Sequence, residues 1–105
     1  MKVILVCSAG MSSAIAAKSL KEAAAAEGIE MEVNEASTQQ FEEMVTQDYQ
    51  LALVAPQIRH RFDTLKPYAD KAGVPILLIA PRGYSPIGGK FLMKQLKEEA
   101  PQIFE

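Results

Sequence analysis

Four short apolar runs alternate with longer segments of helical period along this chain. The first run, Lys2–Cys7, is continuous, which is typical of a strand buried on both faces of a parallel sheet. Residues 30–35 alternate polar and apolar side chains, which predicts an edge strand, whereas the continuous runs 51–55 and 74–80 predict interior strands. Because parallel strands are joined by crossovers that contain helices, the pattern predicts a three-layer α/β fold with a four-stranded parallel sheet and helices on both faces.

The strand order that we predict is 2-1-3-4, as in flavodoxin-like folds. In this order the crossovers change direction between the first and third strands, so the loops at the carboxyl ends of these strands separate and leave a crevice. Those loops begin at Cys7 and near Pro56. The length of 105 residues and the apolar fraction of 49% predict one compact domain over 1–105.

Two helices are predicted in the first half of the chain. Segment 12–27 has apolar residues on one side, and Gly28 follows it in the position where a left-handed residue ends a helix. A second, short helix follows the segment 37–40, Ser-Thr-Gln-Gln, which fits a capping box. Its apolar stripe consists of Phe41, Met44 and Val45.

Two more helices are predicted in the second half. Segment 59–72 has helical period, but Pro67 lacks a backbone donor, which predicts a kink or two short helices before Gly73. The last helix begins at 85–86 or after 88–89, and Pro101 ends it. Its apolar residues are Phe91, Leu92 and Leu96.

Composition and charge exclude several classes of function. A net charge of −2 argues against nucleic-acid binding, and we interpret the basic run 59–61 as a solvated helix face. One cysteine and one histidine cannot form an internal disulfide or a structural zinc site, so neither a metal nor a cofactor is expected. Since no run approaches the roughly 18 apolar residues of a membrane helix, and no signal peptide is apparent, we expect a cytoplasmic protein.

The one cysteine, Cys7, lies where the first strand gives way to a loop of small residues and then a helix. The N–H groups at a helix N-terminus attract anions, and their field lowers the pKa of a nearby thiol from its free value of about 8.5. The sequence therefore predicts a phosphate site, although a cysteine that merely fits the end of a strand is the alternative. The candidate phosphate-binding residues are Ser8, Ala9, Gly10, Met11, Ser12, Ser13 and Ala14.

Other phosphate-binding motifs fit this loop less well. It is neither a Walker A loop nor a dinucleotide-binding fingerprint. Low-molecular-weight tyrosine phosphatases share the predicted topology, but the arginine of their Cys-x5-Arg loop corresponds to Ser13. Without a guanidinium the transferring phosphoryl group loses a bidentate partner, so slow hydrolysis and a carrier role are expected. A phosphatase or arsenate-reductase-like cysteine enzyme and a non-catalytic flavodoxin-like module remain alternatives.

Two segments together resemble a known family. The loop Cys-Ser-Ala-Gly-Met-Ser-Ser at 7–13 and the segment Val-Ala-Pro-Gln-Ile at 54–58 are similar to those of IIB proteins of the bacterial phosphoenolpyruvate-dependent sugar phosphotransferase system. Within that system the resemblance is to the lactose/cellobiose (N,N′-diacetylchitobiose) family. It implies a phosphotransferase in which Cys7 accepts a phosphoryl group from a phosphohistidine of a IIA protein and passes it to a sugar bound by a membrane IIC protein.

The same resemblance implies the setting of this reaction. It assigns the residues from Ser8 to Ala14 to phosphoryl binding and Gln57 to a polar contact in the crevice. The sugar is of the cellobiose, lactose or chitobiose type. The domain is expected to be a cytoplasmic monomer that associates peripherally with the membrane partner IIC and forms transient complexes with both partners.

Several other residues near the predicted crevice have two interpretations each. His60 is suited to proton or phosphoryl transfer near neutral pH, but we favour a surface role. Tyr84, in a loop rich in glycine, borders a partner interface or belongs to a plain turn. Met11 and Ile58 are available either for contact with a partner or for core packing.

Overall fold

The computed structural model describes residues 1–7, 13–84 and 88–104. Strands and α-helices alternate along these residues in the predicted order, and short 3₁₀ helices follow β3, β4 and α4. The elements are β1 (Lys2–Cys7), α1 (Ser13–Ala26), β2 (Glu32–Ser37), α2 (Thr38–Met44), β3 (Leu51–Val54), α3 (Phe62–Ala72), β4 (Ile76–Leu78) and α4 (Gly89–Glu99), with 3₁₀ helices at Pro56–Arg61, Pro81–Gly83 and Pro101–Phe104.

The four strands form one parallel sheet in the order β2-β1-β3-β4, which confirms the predicted topology. As predicted, β2 lies at an edge, although it begins two residues later than its sequence pattern suggested. The same order places β4 at the other edge, as predicted, but the burial that its continuous apolar run suggested is wrong for Leu78, which is 36% exposed. The apolar run 74–80 is explained instead by burial against helices, since Val74 and Ile79 lie outside the short strand and are nevertheless buried.

Two apolar clusters, one on each face of the sheet, form the core. From Val3 to Val6, alternate residues of β1 enter different clusters, which explains why these four positions are all apolar. The α2/α3 cluster contains Ile4 and Val6 with Phe41, Leu65 and Ala69. The α1/α4 cluster contains Val3 and Leu5 with Leu20, Leu92 and Leu96. The helices therefore cover both faces, and the predicted three-layer arrangement is confirmed.

Local sequence signals account for several helix ends. The backbone of Gly28 is left-handed (φ 76°) just after α1, and Gly73 ends α3 in the same way (φ 73°). The capping box at α2 is confirmed, because the Ser37 hydroxyl accepts from the Gln40 N–H at 3.3 Å while the Ser37 N–H donates to the Gln40 side chain at 3.0 Å. Ser37 is also the last residue of β2, so the chain passes directly from strand to helix.

The break predicted at Pro67 lies elsewhere. Helix α3 continues through Pro67, and the irregular backbone is at Ile58 (φ −116°, ψ 27°), within the 3₁₀ helix that precedes α3. Pro67 is exposed, so the carbonyl group that lacks its helical donor can turn towards water. The segment is therefore a 3₁₀ helix followed by one α-helix.

Helix α4 begins at Gly89, the second of the two predicted starts; the first, at 85–86, lies outside the described residues. It ends at Glu99, before Pro101, as predicted. Leu92 and Leu96 are buried, but the apolar role predicted for Phe91 is wrong, since this side chain is 49% exposed. Met93 takes the buried position because it continues the helical stripe that Leu96 and Leu92 define. Within the described ranges, no helix is long and apolar enough to cross a bilayer.

Candidate functional site

The carboxyl ends of the strands bring the predicted site segments to one edge of the sheet. Cys7 ends β1 and is paired in register with Ser37 of β2. On the other side of β1, the Ala55 N–H donates to the Val6 carbonyl at 2.9 Å, which fixes the start of the segment after β3 next to Cys7. The Ile79 N–H donates to the Val54 carbonyl at 2.9 Å and places the segment after β4 at the same edge.

Cys7 is a free thiol at this edge and is only 7% exposed. It belongs to the α2/α3 cluster together with Ala36, Ala55 and Ile58. Its burial means that a reacting group must approach through the loop side of the edge, because β1 is covered by helices on both faces.

The candidate phosphate-binding loop lies mostly outside the described residues. This applies to the predicted residues Ser8, Ala9, Gly10, Met11 and Ser12. The helix that was predicted to follow them is α1, which begins at Ser13, with Ala14 exposed in its first turn. At 14 residues, α1 is long enough for aligned peptide dipoles to give its N-terminus a positive partial charge.

The segment after β3 forms the 3₁₀ helix Pro56–Arg61 at the same edge. Gln57 is exposed in it and is free of side-chain hydrogen bonds to the rest of the described chain. Ile58 is 2% exposed, so core packing is the correct one of its two interpretations. Arg59, His60 and Arg61 are exposed, which agrees with a solvated basic run.

Tyr84, one of the residues expected near the crevice, follows the 3₁₀ helix Pro81–Gly83. Its ring is half-buried and packs against both apolar clusters. Its hydroxyl is buried and lacks a hydrogen-bond partner among the described residues. Burial raises the pKa of Tyr84 to about 12, with smaller contributions from the negative charges of Cys7 and Glu35. The glycine-rich loop at this edge drew attention to Tyr84 in the sequence, but nothing in the sequence indicated that its hydroxyl is buried.

In ranges 1–7, 13–84 and 88–104, no three His, Cys, Asp or Glu side chains lie close enough together to hold a metal ion. Among the described residues, this edge presents the thiol of Cys7, the N-terminus of α1 and the polar groups of Gln57 and Tyr84.

The family model of the lactose/cellobiose-specific IIB subunit of the phosphotransferase system matches residues 2–90. The chain belongs to this family. The resemblance read from the two short segments is thereby confirmed, and this IIB protein is a component of a sugar phosphotransferase system. A search of curated proteins found no match.

Solved structures of two IIB proteins share the fold of this IIB protein. One is the lactose-specific IIB component domain from Streptococcus pneumoniae, with a TM-score of 0.74 and 23% identity over 95% of this chain and 97% of that one. The other is the cellobiose-specific IIB component from Borrelia burgdorferi, with a TM-score of 0.72 and 24% identity over 97% of this chain and 93% of that one. The predicted α/β architecture is confirmed by both.

Proposed function

We propose that this IIB protein is a phosphoryl carrier in which Cys7 is the residue phosphorylated. It accepts the phosphoryl group from a phosphohistidine of a IIA protein and passes it to a sugar bound by a membrane IIC protein. The observation that supports this most is the family match over residues 2–90, which includes Cys7 and the whole loop after it. Membership of the family implies phosphotransferase activity and interaction with IIA and IIC partners in general.

Two transfers make up the proposed relay. In the first, the Cys7 thiolate attacks phosphorus, the S–P bond forms and the P–N bond of the phosphohistidine breaks. The bonding pair goes to the imidazole nitrogen, which takes up the proton that the thiol gave up. In the second, a sugar hydroxyl attacks phosphorus, the S–P bond breaks and the hydroxyl proton passes to a base on the acceptor side. Sulfur suits both steps because a thiolate is a strong nucleophile and also a good leaving group.

The residues from Ser8 to Ala14 are proposed to bind the phosphoryl oxygens. Backbone N–H groups that precede a helix converge on an anion, and the N-terminus of α1 at Ser13 adds its positive partial charge. Ser12 and Ser13 are proposed to add hydroxyl donors. Gln57 is exposed at the same edge, so we assign it a polar contact with the phosphoryl group or with a partner.

The absence of an arginine favours a carrier over a phosphatase. Ser13 stands at the position where the Cys-x5-Arg loop has its guanidinium. A serine hydroxyl neutralises none of the charge that develops during attack by water, so the phosphocysteine is expected to persist until an acceptor arrives.

We further propose that residues 1–105 form a single IIB domain. The lactose-specific IIB domain aligns with 95% of the chain, which supports this.

In the proposed relay the domain acts in the cytoplasm as a monomer and meets IIC at the membrane. Both partners must reach Cys7 from the same edge of the sheet, so their complexes are transient. The sugar is of the cellobiose, lactose or chitobiose type.

Intact-mass analysis tests the carrier function directly. The protein is incubated with phosphoenolpyruvate, the general phosphotransfer proteins and candidate IIA proteins of the lactose/cellobiose type, and a Cys7→Ser variant is treated in parallel. We expect one phosphoryl group on the wild-type protein and none on the variant. Addition of IIC-containing membranes and sugar should then remove the group.

Two results would contradict the proposal. One is the lack of an adduct on Cys7 with a IIA protein that phosphorylates another IIB protein of the family. The other is turnover of an aryl phosphate by this chain alone, which would indicate a phosphatase.

A further inference from the structure

The side chain of Gln95, on α4, bonds to the backbone at the outer edge of β4. Its Nε2 atom donates to the Leu78 carbonyl at 2.7 Å, and its Oε1 atom accepts from the Ala80 N–H at 3.0 Å. Each half of the carboxamide therefore has the partner that its chemistry requires. The two bonds together hold the side chain in one orientation against the strand.

A further strand would use the same two backbone groups. The Ile79 N–H donates to the Val54 carbonyl of β3 at 2.9 Å, so the Leu78 carbonyl and the Ala80 N–H, on either side of Ile79, point away from β3. In a parallel pair of strands, one residue donates to the carbonyl before its neighbour and accepts from the N–H after it. The carboxamide of Gln95 makes these two bonds, so it takes the place of one residue of a fifth strand.

The two edges of the sheet differ in the charge that they carry. One edge, β2, includes the carboxylates of Glu32 and Glu35, and charged side chains on an edge oppose pairing with another strand. The other edge, β4, consists of Ile-Leu-Leu, and Leu78 is 36% exposed. An apolar edge with open backbone groups is a template for strand pairing, so β4 requires a protection other than charge.

We infer that Gln95 caps the outer edge of β4 and thereby keeps two copies of this chain from pairing along it. A two-fold axis perpendicular to the sheet would place the β4 strands of two copies antiparallel, with the Leu78 carbonyl and the Ala80 N–H among the groups that face the second copy. While the carboxamide bonds to both groups, they are closed to another strand. The inference does not rest on the proposed carrier function, and it gives a physical cause for the monomer proposed above.

Gln95→Leu tests the inference, because leucine has a similar volume and leaves both backbone groups open. Gln39→Leu is the matched control, since it makes the same substitution at an exposed position of α2, far from β4 in the sheet order. Sedimentation equilibrium measures the average mass of each protein over a range of concentrations. Wild type and Gln39→Leu should both remain at the monomer mass of 11.5 kDa.

We expect Gln95→Leu to form dimers with a dissociation constant of about 1 mM or tighter, because several backbone hydrogen bonds become available on a short edge. At that affinity and a total concentration of about 1 mM, half of the chains are in dimers and the weight-average mass is about 1.5 times that of the monomer. Addition of Leu78→Lys to Gln95→Leu should restore the monomer, because like charges would then meet across the two-fold axis.

Amide hydrogen exchange at Ala80 provides a second measurement. In the wild-type protein this N–H should be protected at every concentration, because Gln95 accepts from it. In dilute Gln95→Leu it should exchange about tenfold faster, and protection should return as the concentration rises. Gln95→Ala opens the same two groups without adding apolar surface, so it should show the same faster exchange in dilute solution.

Three results would overturn the inference. Gln95→Leu that folds and stays monomeric at about 1 mM would show that Gln95 only ties α4 to the sheet. Association that Leu78→Lys does not reverse, or that Gln39→Leu shows equally, would place the contact away from β4. Rapid exchange of the Ala80 N–H in the folded wild-type protein would show that the carboxamide leaves the edge open, whether or not the variants fold.

These measurements use the protein alone. Failure of Cys7 to accept a phosphoryl group would therefore contradict the carrier function and leave the role of Gln95 intact, whereas a monomeric Gln95→Leu would contradict the role of Gln95 and leave the carrier function intact.

Discussion

The backbone N–H of Gly89 donates to the side-chain hydroxyl of Ser19 at 2.9 Å, which joins the first turn of α4 to the middle of α1. The two helices approach so closely here that a Cβ atom on Gly89 would lie 2.7 Å from both the carbonyl carbon and the hydroxyl oxygen of Ser19. This contact therefore fixes α4 against α1, the helix that follows the candidate phosphate loop in the chain.

We predict that Gly89→Ala destabilises the protein by about 2–3 kcal/mol, because the added methyl group meets backbone atoms that cannot move without shifting a helix. Chemical denaturation measures the loss. Ser19→Ala is the matched control, since it removes the hydrogen bond without adding an atom and should cost only about 1 kcal/mol. Equal stability of Gly89→Ala and wild type would show that the helices are not in close contact.

Ser37→Ala should destabilise the protein by about 1 kcal/mol, because it removes the side-chain half of the capping box at α2. Gln39→Ala is the control, since Gln39 is exposed in the same turn and lies outside the capping box. Urea denaturation of both variants provides the comparison. A cost for Gln39→Ala as large as that for Ser37→Ala would mean that helix propensity, and not the cap, determines the effect.

Much of the fold was predictable because its signals are local. The capping residue Ser37 and the helix-ending residues Gly28 and Gly73 act through backbone groups within four residues, so their roles follow from sequence spacing. The exposure of Leu78 was missed, because a continuous apolar run looks the same in an interior strand and in an edge strand that helices partly cover. The exposure of Phe91 depends on how α4 rotates on the sheet, which is a tertiary property.

Within the candidate site, Cys7 could be recognised from the sequence, whereas the burial of the Tyr84 hydroxyl could not. Cys7 was found because one thiol, a strand end and a small-residue loop coincide in the sequence. Tyr84 lies 77 residues further along the chain, and nothing in its neighbours indicates that its hydroxyl is buried at the same edge. Only the parallel order of β1, β3 and β4 brings the two segments together.

Pro67→Ala should stabilise the protein by about 1–2 kcal/mol. Alanine restores a helical N–H donor in the middle of α3 and has a higher helix propensity, while the greater freedom of the unfolded chain offsets part of the gain. Thermal and chemical denaturation should both show the increase. A loss of stability in Pro67→Ala would indicate that the proline makes contacts worth more than a hydrogen bond.

Stability at alkaline pH should depend on Tyr84. Its pKa is raised from about 10 to about 12 in the folded protein, chiefly by burial and further by the charges of Cys7 and Glu35. Between these pH values the unfolded chain releases the Tyr84 proton while the folded protein keeps it, so the free energy of unfolding falls as the pH rises. Below pH 10 both states hold the proton, and the contribution of Tyr84 is fully present.

The measurement is a comparison of wild type and Tyr84→Phe. Near pH 12 the wild-type protein should show a late rise in tyrosinate absorbance that the variant lacks. The loss of stability from pH 10 to pH 12 should also be smaller in the variant, because one of the groups that titrates differently in the two states is gone. Identical titration curves above pH 10 would contradict the buried position of the hydroxyl.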